Sequence, residues 1–151
     1  MTIRELLKNR DAFAWTLMMA SLTVHIFDEV ITDFLPFYNQ LVFDMRERFG
    51  FFPMPTFSYE LWLGGLILAI LIGFAAVPLV YRGGLRIRII TTVLGILMTA
   101  NALGHLLGSV YTGRILPGFT SSFLLLATAI YVVVRGFVGF QSRIAGHDAD
   151  R

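Results

Sequence analysis

The sequence predicts an all-α integral membrane bundle of four transmembrane helices, with an amphipathic interfacial helix between the first and second. Three observations predict it. Of the 151 residues, 56% are hydrophobic and only 15% charged, where ordinary soluble domains carry about a quarter charged residues. Mean hydropathy is +0.73. Four stretches reach the roughly 20 mainly apolar residues that a spanning helix needs, and the arginines gather at their ends. The whole chain, residues 1–151, reads as a single transmembrane domain.

The first span runs from Ala12 to about Asp33. Lys8 and Arg10 before an apolar core resemble a signal peptide. However, the apolar run continues past Ser21 to Leu35 with no small-residue cleavage site, so a retained signal anchor is expected. The other spans are Phe57 to Tyr81, Ile87 to Tyr111 and Phe119 to Phe140. Nine basic residues fall on one side: Arg4, Lys8, Arg10, Arg82, Arg86, Arg88, Arg135, Arg143 and Arg151. Three fall on the other: Arg46, Arg48 and Arg114. The positive-inside rule then puts both termini in the cytoplasm.

Between the first two spans, Phe37, Tyr38, Leu41, Val42, Met45 and Phe49 recur at helical spacing. Asn39, Gln40, Asp44, Glu47 and Arg48 lie opposite them. The pattern predicts a helix lying in the membrane interface, bounded by Pro36 and by Pro53 and Pro55, and roofing the outer half of the bundle. An interfacial anchor without a gating role satisfies the pattern equally.

Thr23 to Glu29 places one imidazole and two carboxylates late in the first apolar span. Ionisable groups in lipid are expensive and by default mark a functional site. Asp28 and Glu29 follow His25 by three and four residues, so both lie one helical turn beyond the ring. At about 1.5 Å per residue, His25 sits roughly 20 Å from the inner surface and the two carboxylates at about 24 to 26 Å. In the third span Asn101, His105 and Ser109 follow i, i+4, i+8 spacing, with Asn101 and His105 roughly 20 and 26 Å deep. These polar side chains share the outer half, as does Glu60 in the first turn of the second span. Ala100, Gly104 and Gly108 form a small-residue ridge that predicts close helix packing and brings His105 toward His25.

The candidate catalytic residues are therefore His25, Asp28, Glu29, His105 and Asn101, with His25, Glu29 and His105 as candidate metal ligands. Asn101 serves as well as a hydrogen bond between helices, and for Ser109 that role is enough. A buried ion pair would also explain His25, Asp28 and Glu29, but such pairs rarely gain stability over apolar packing. Asp33 reads as solvated at the lipid surface, and His147, in the polar tail, as without a role. Glu60 faces either the same cavity or outer water. Arg114 precedes the Pro117-Gly118 turn and suits an anionic headgroup, an anionic substrate or a loop carboxylate. Thr120, Ser121 and Ser122 are expected to cap the fourth helix.

A His-x-x-acid-acid motif in the first helix, an Asn-x-x-x-His in a later one and the Gly-Arg-x-x-Pro-Gly turn resemble the HXXEE family. Those are small bacterial multi-pass membrane proteins, so the resemblance implies a bacterial cytoplasmic membrane. Asp28 replaces the first Glu of the motif and reaches about one methylene less, which leaves open whether it acts directly. His25 and Glu29 alone also resemble the His-x-x-x-Glu of emopamil-binding sterol isomerases.

Three functions follow. One is acid–base isomerisation or cyclisation of a small lipophilic, isoprenoid- or lipid-like substrate, with His25 shuttling a proton. Another is a metal-dependent oxidoreductase or hydrolase, with a divalent metal such as Fe or Zn as cofactor. The third is a non-enzymatic lipid-binding or accessory subunit. The lack of an evident third histidine tilts the reading toward acid–base chemistry. The absence of cysteine excludes disulfides, thiolate ligands and a cysteine nucleophile. Membrane lipid and a lipophilic small molecule are the expected partners, together with a second copy or a partner membrane protein. A net charge of +2 gives no reason to expect nucleic acid.

Overall fold

A computed structural model describes residues 2–149, with side chains as far as Gln141. Arg143 and His147 therefore lie outside the described side chains, and Arg151 outside the described residues. The described residues form helices and no strand: α1 Ile3–Lys8, α2 Arg10–Ile31, α3 Phe34–Phe49, α4 Tyr59–Ala75, α5 Val77–Arg82, α6 Leu85–Thr112 and α7 Phe119–Ala149. Four stretches are long and apolar enough to cross a membrane: Arg10–Ile31, Tyr59–Arg82, Leu85–Thr112 and Phe119–Gln141. The protein is a multi-pass membrane protein.

α2, α6 and α7 form the packed centre. Ala12, Ala14, Trp15 and Met18 of α2 meet Ala102 of α6 and Leu125, Ala129 and Val132 of α7, all buried. The α6–α7 seam is close because Gly95 lies against Val132 and Val133, while Gly136 and Gly139 leave room for Thr92 and Arg88. The ridge expected from the sequence is not the one used. No neighbouring atom lies within 4 Å of a Cβ built on Gly104, and Ala100 is exposed. Successive residues turn by about 100° on a helix, so Gly95, Ala102 and His105 present a different face from Ala100 and Gly104.

α1 is a separate amphipathic turn begun by a capping box, in which Thr2 and Glu5 bond reciprocally. The second span is broken at Ala76, before Pro78 in the first turn of α5, because proline lacks the N–H and crowds the carbonyl four residues back. Beside this break the Trp15 indole N–H donates to the Gly73 carbonyl at 2.8 Å, fastening α4 to α2. The face of α4 toward α6 stays open.

α3 leaves α2 through Asp33, whose φ of 57° is left-handed, a conformation that Asp tolerates better than most residues. Pro36 does not bound α3; it sits in the first turn, where its missing N–H costs nothing. Asn39 is not on the solvated side but turned inward. Its amide donates to the Phe57 carbonyl and accepts from the Phe57 N–H, at 2.9 and 3.1 Å. The Tyr38 hydroxyl holds Pro55, and Arg46 holds Phe52 and Met54, through their carbonyls. α3 thus carries the non-helical run 50–58 along its flank.

Candidate functional site

His25 and Glu29 stand one turn apart on α2, and His105 projects from α6 to meet them. The Glu29 Oε1 atom lies 3.4 Å from His25 Nε2 and 3.1 Å from His105 Nε2. The two imidazoles meet edge to face, with centroids 4.8 Å apart. These side chains are closed to water, with His25 1%, Glu29 5% and His105 6% exposed. Asn101, one turn before His105, brings its amide nitrogen 3.2 Å from His25 Nε2.

The outer partners determine which nitrogens are free. His105 Nδ1 lies 2.6 Å from the Pro117 carbonyl; a carbonyl only accepts, so Nδ1 carries the hydrogen. Asp28 Oδ2 accepts from the Ser121 hydroxyl at 2.6 Å and from the Ser121 backbone N–H at 3.0 Å. With its single hydrogen given to Asp28, Ser121 Oγ accepts from His25 Nδ1 at 2.9 Å. Both rings are therefore held as Nδ1–H tautomers, and both Nε2 lone pairs point at one carboxylate oxygen. The Asn101 amide answers His25 Nε2, which leaves His105 Nε2 and Glu29 Oε1, 3.1 Å apart, as two acceptors that repel one another unless a cation stands between them. A shared proton or a metal ion would supply that cation.

No family model, curated protein or solved structure matches the chain. The chemistry of the site is read from its own atoms.

The 113–118 turn makes this arrangement. Ser109 donates to the His105 carbonyl and accepts from the Leu116 N–H, at 2.7 and 3.0 Å, which locks the turn to α6. Thr32 ties it to the end of α2 by accepting from the Gly118 N–H at 3.3 Å. Gly118 has φ +78°, and an added Cβ there would come 2.9 Å from His105 Cε1 and 3.1 Å from His25 Cε1. Only glycine lets the backbone pass so close to both rings. Phe34, the first residue of α3, covers the outer side, its ring 5.1 Å from His105 and 6.2 Å from Trp62.

Of the residues singled out from the sequence, His25, Glu29, His105 and Asn101 come together, with Asp28 one hydrogen bond further out. Glu60 and Arg114 do not join them. Both are exposed, and Arg114 has no ion pair among the described residues. Asp28, rather than a local hydroxyl, receives the Ser121 N–H at the start of α7. Ser121, Gly118 and the Pro117 carbonyl were not identified as parts of the site, since lone hydroxyls and carbonyls carry no sequence signal.

Proposed function

We propose that the chain is a membrane-embedded, metal-dependent enzyme acting on a lipophilic substrate, with His25 Nε2, His105 Nε2 and Glu29 Oε1 as ligands. The observation that carries this reading is that both histidines spend Nδ1 on an outer partner and turn Nε2 to the same carboxylate. Metal-binding histidines are commonly fixed in this way by a carbonyl or a carboxylate. The separations of 3.1 and 3.4 Å approach the roughly 3.4 Å between two donors that each stand about 2.1 Å from a tetrahedral ion, and since the three donors lie only within 4.8 Å of one another, the two imidazoles would draw together to hold one. Two neutral nitrogens and one carboxylate form the donor set of hydrolytic zinc and of non-haem Fe(II) sites. Turned by half a rotation, the Asn101 amide offers an oxygen donor in the same place.

The geometry thus favours a metal over the proton shuttle toward which the sequence leaned. The proton shuttle keeps one supporting observation, the Asp28–Ser121–His25 chain, which would stabilise a charged His25 as it takes a proton. Elemental analysis of protein purified without chelators separates the two. The expected result is one Fe or Zn per chain, lost in His25→Ala and His105→Ala while helicity by circular dichroism is kept. Metal-free protein that still turns over substrate would transfer the function to acid–base chemistry.

In the same reading the chain lies in a bacterial cytoplasmic membrane with both termini inside and the His25 centre in the outer half. Arg82, Arg86, Arg88 and Arg135 at the end of the bundle away from His25 support this orientation. α3 then lies along the outer interface, with Leu41 and Phe49, both exposed, turned to lipid.

A further inference from the structure

The His25 centre makes no use of a second polar cluster at the other end of the bundle. Asp11 of α2 bridges Arg88 of α6 and Arg135 of α7. Asp11 Oδ1 accepts from Arg135 Nε and Nη2, both at 2.8 Å, and Oδ2 accepts from Arg88 Nη2 at 3.1 Å. Among the described residues one carboxylate answers two guanidiniums, so a positive charge is left over. The cluster is reachable, with the three side chains 21 to 28% exposed. A cavity of about 20 Å³ beside it, bordered by Gly83 and Gly84, has room for a head-group oxygen rather than a bulky head.

Next to that cavity lies a cleft of about 380 Å³ between α2, the α4–α5 break and the open face of α6. Trp15, Val80, Ile87 and Thr91 border both. Beyond them the walls are apolar, including Met18, Leu22, Ile72, Leu94 and Met98. From Ile87 to Met98 the cleft follows α6 for about 16 Å. It stops one turn short of Asn101 on α6 and, at Leu22, one turn short of His25 on α2.

We propose that this cleft binds a single-chain carboxylate amphiphile, such as a fatty or isoprenoid-like acid. Its head lies on Arg88 and Arg135, and its chain runs along α6 toward the His25 centre. Lipid tails are as apolar as the cleft walls, so in a bilayer the chain alone gains little by entering. Selectivity comes from the head, through charge-assisted bonds to a guanidinium fork. A neutral lipid would fill the cleft and leave the cation unanswered. As a statement of substrate, the assignment rests on the proposed reading of the His25 centre; as a statement of binding, it does not.

The chain has two tryptophans, so Trp62→Phe leaves Trp15, at the junction of head and chain, as sole reporter. Metal-free protein in phosphatidylcholine nanodiscs is titrated with a fatty acid brominated near its carboxylate, and with the methyl ester of the same chain. The expected result is saturable quenching of Trp15 by the acid at a mole fraction at least about tenfold below that for the ester, or about 1.4 kcal/mol. Arg88→Gln should remove that difference. Ala69→Phe, on the exposed side of α4 at the cleft wall, should remove saturation without touching a charge. Equal quenching by acid and ester, or saturation unchanged in Ala69→Phe, would overturn the proposal. Metal content of untreated protein is an independent readout: bound metal without acid binding removes only the substrate assignment, and acid binding without metal removes only the metal reading.

Discussion

Gly118 touches both imidazoles, so a single methyl group there tests the centre. Gly118→Ala forces a left-handed backbone onto an L-residue, costing roughly 1 to 2 kcal/mol, and drives Cβ into two ring carbons. We expect bound metal to fall below a tenth of an equivalent, with a lower unfolding temperature by calorimetry. Ser121→Ala acts more selectively. It removes the link between Asp28 and His25 and should weaken metal affinity about 10- to 100-fold, measured by competition with a chelator; unchanged affinity would leave Asp28 no role in orienting the ring. At this scale the sequence was legible where residues are costly. His25, Glu29 and His105 stood out because ionisable groups are rare in apolar helices. Glu60 and Arg114 were conspicuous by charge alone, and both lie exposed, apart from the buried centre. Ser121 was visible only as a helix-capping hydroxyl, because what makes it important is a carboxylate 93 residues away.

Helical elements were predicted well wherever apolar length decides, as for α2, α6 and α7. The Ala76 break passed unnoticed because the run of apolar residues continues unbroken through Pro78. The Ala100-Gly104-Gly108 ridge misled because small residues permit close packing without requiring it; which face packs was decided by Gly95, Ala102 and the glycines of α7. α3 shows the same limit. The expected helix is there, yet Asn39 is an inward clamp. Asn39→Ala leaves the Phe57 N–H and carbonyl without their partner, a loss of about 1 to 3 kcal/mol where such groups are buried. Hydrogen exchange should then accelerate across residues 50–58 while α6 is unaffected. Spin labels would test the placement of α3 in the interface. Position 49 should report lipid and position 47, on the opposite face of the helix, should report water, and equal water exposure at both would lift α3 off the membrane.

For the whole molecule, the basic asymmetry carries the proposed orientation, and the absence of native cysteine makes it simple to check. A cysteine introduced at Gln141 should be labelled only after the membrane is opened; labelling in intact cells would invert the molecule. Asp11 holds three helices together at that end. Asp11→Asn leaves two guanidiniums facing each other without a counter-charge, so the α2–α6–α7 centre should loosen, seen as a lower detergent-solubilised melting temperature.

The partners of Asp11 and Asp28 also bear on how the chain is made. α2 leaves the ribosome before α6 and α7, yet Asp11 waits for Arg88 and Arg135, and Asp28 for Ser121. While synthesis continues, the first span holds three carboxylates of which only Glu29 has a partner on its own helix, His25, a burden lifted only when the last span arrives. Chains stopped after Thr112 should therefore be recognised as unfinished and degraded faster than full-length protein in a pulse–chase experiment. Replacing Asp11, Asp28 and Glu29 by their amides should lengthen the lifetime of the truncated chain and shorten that of the complete one.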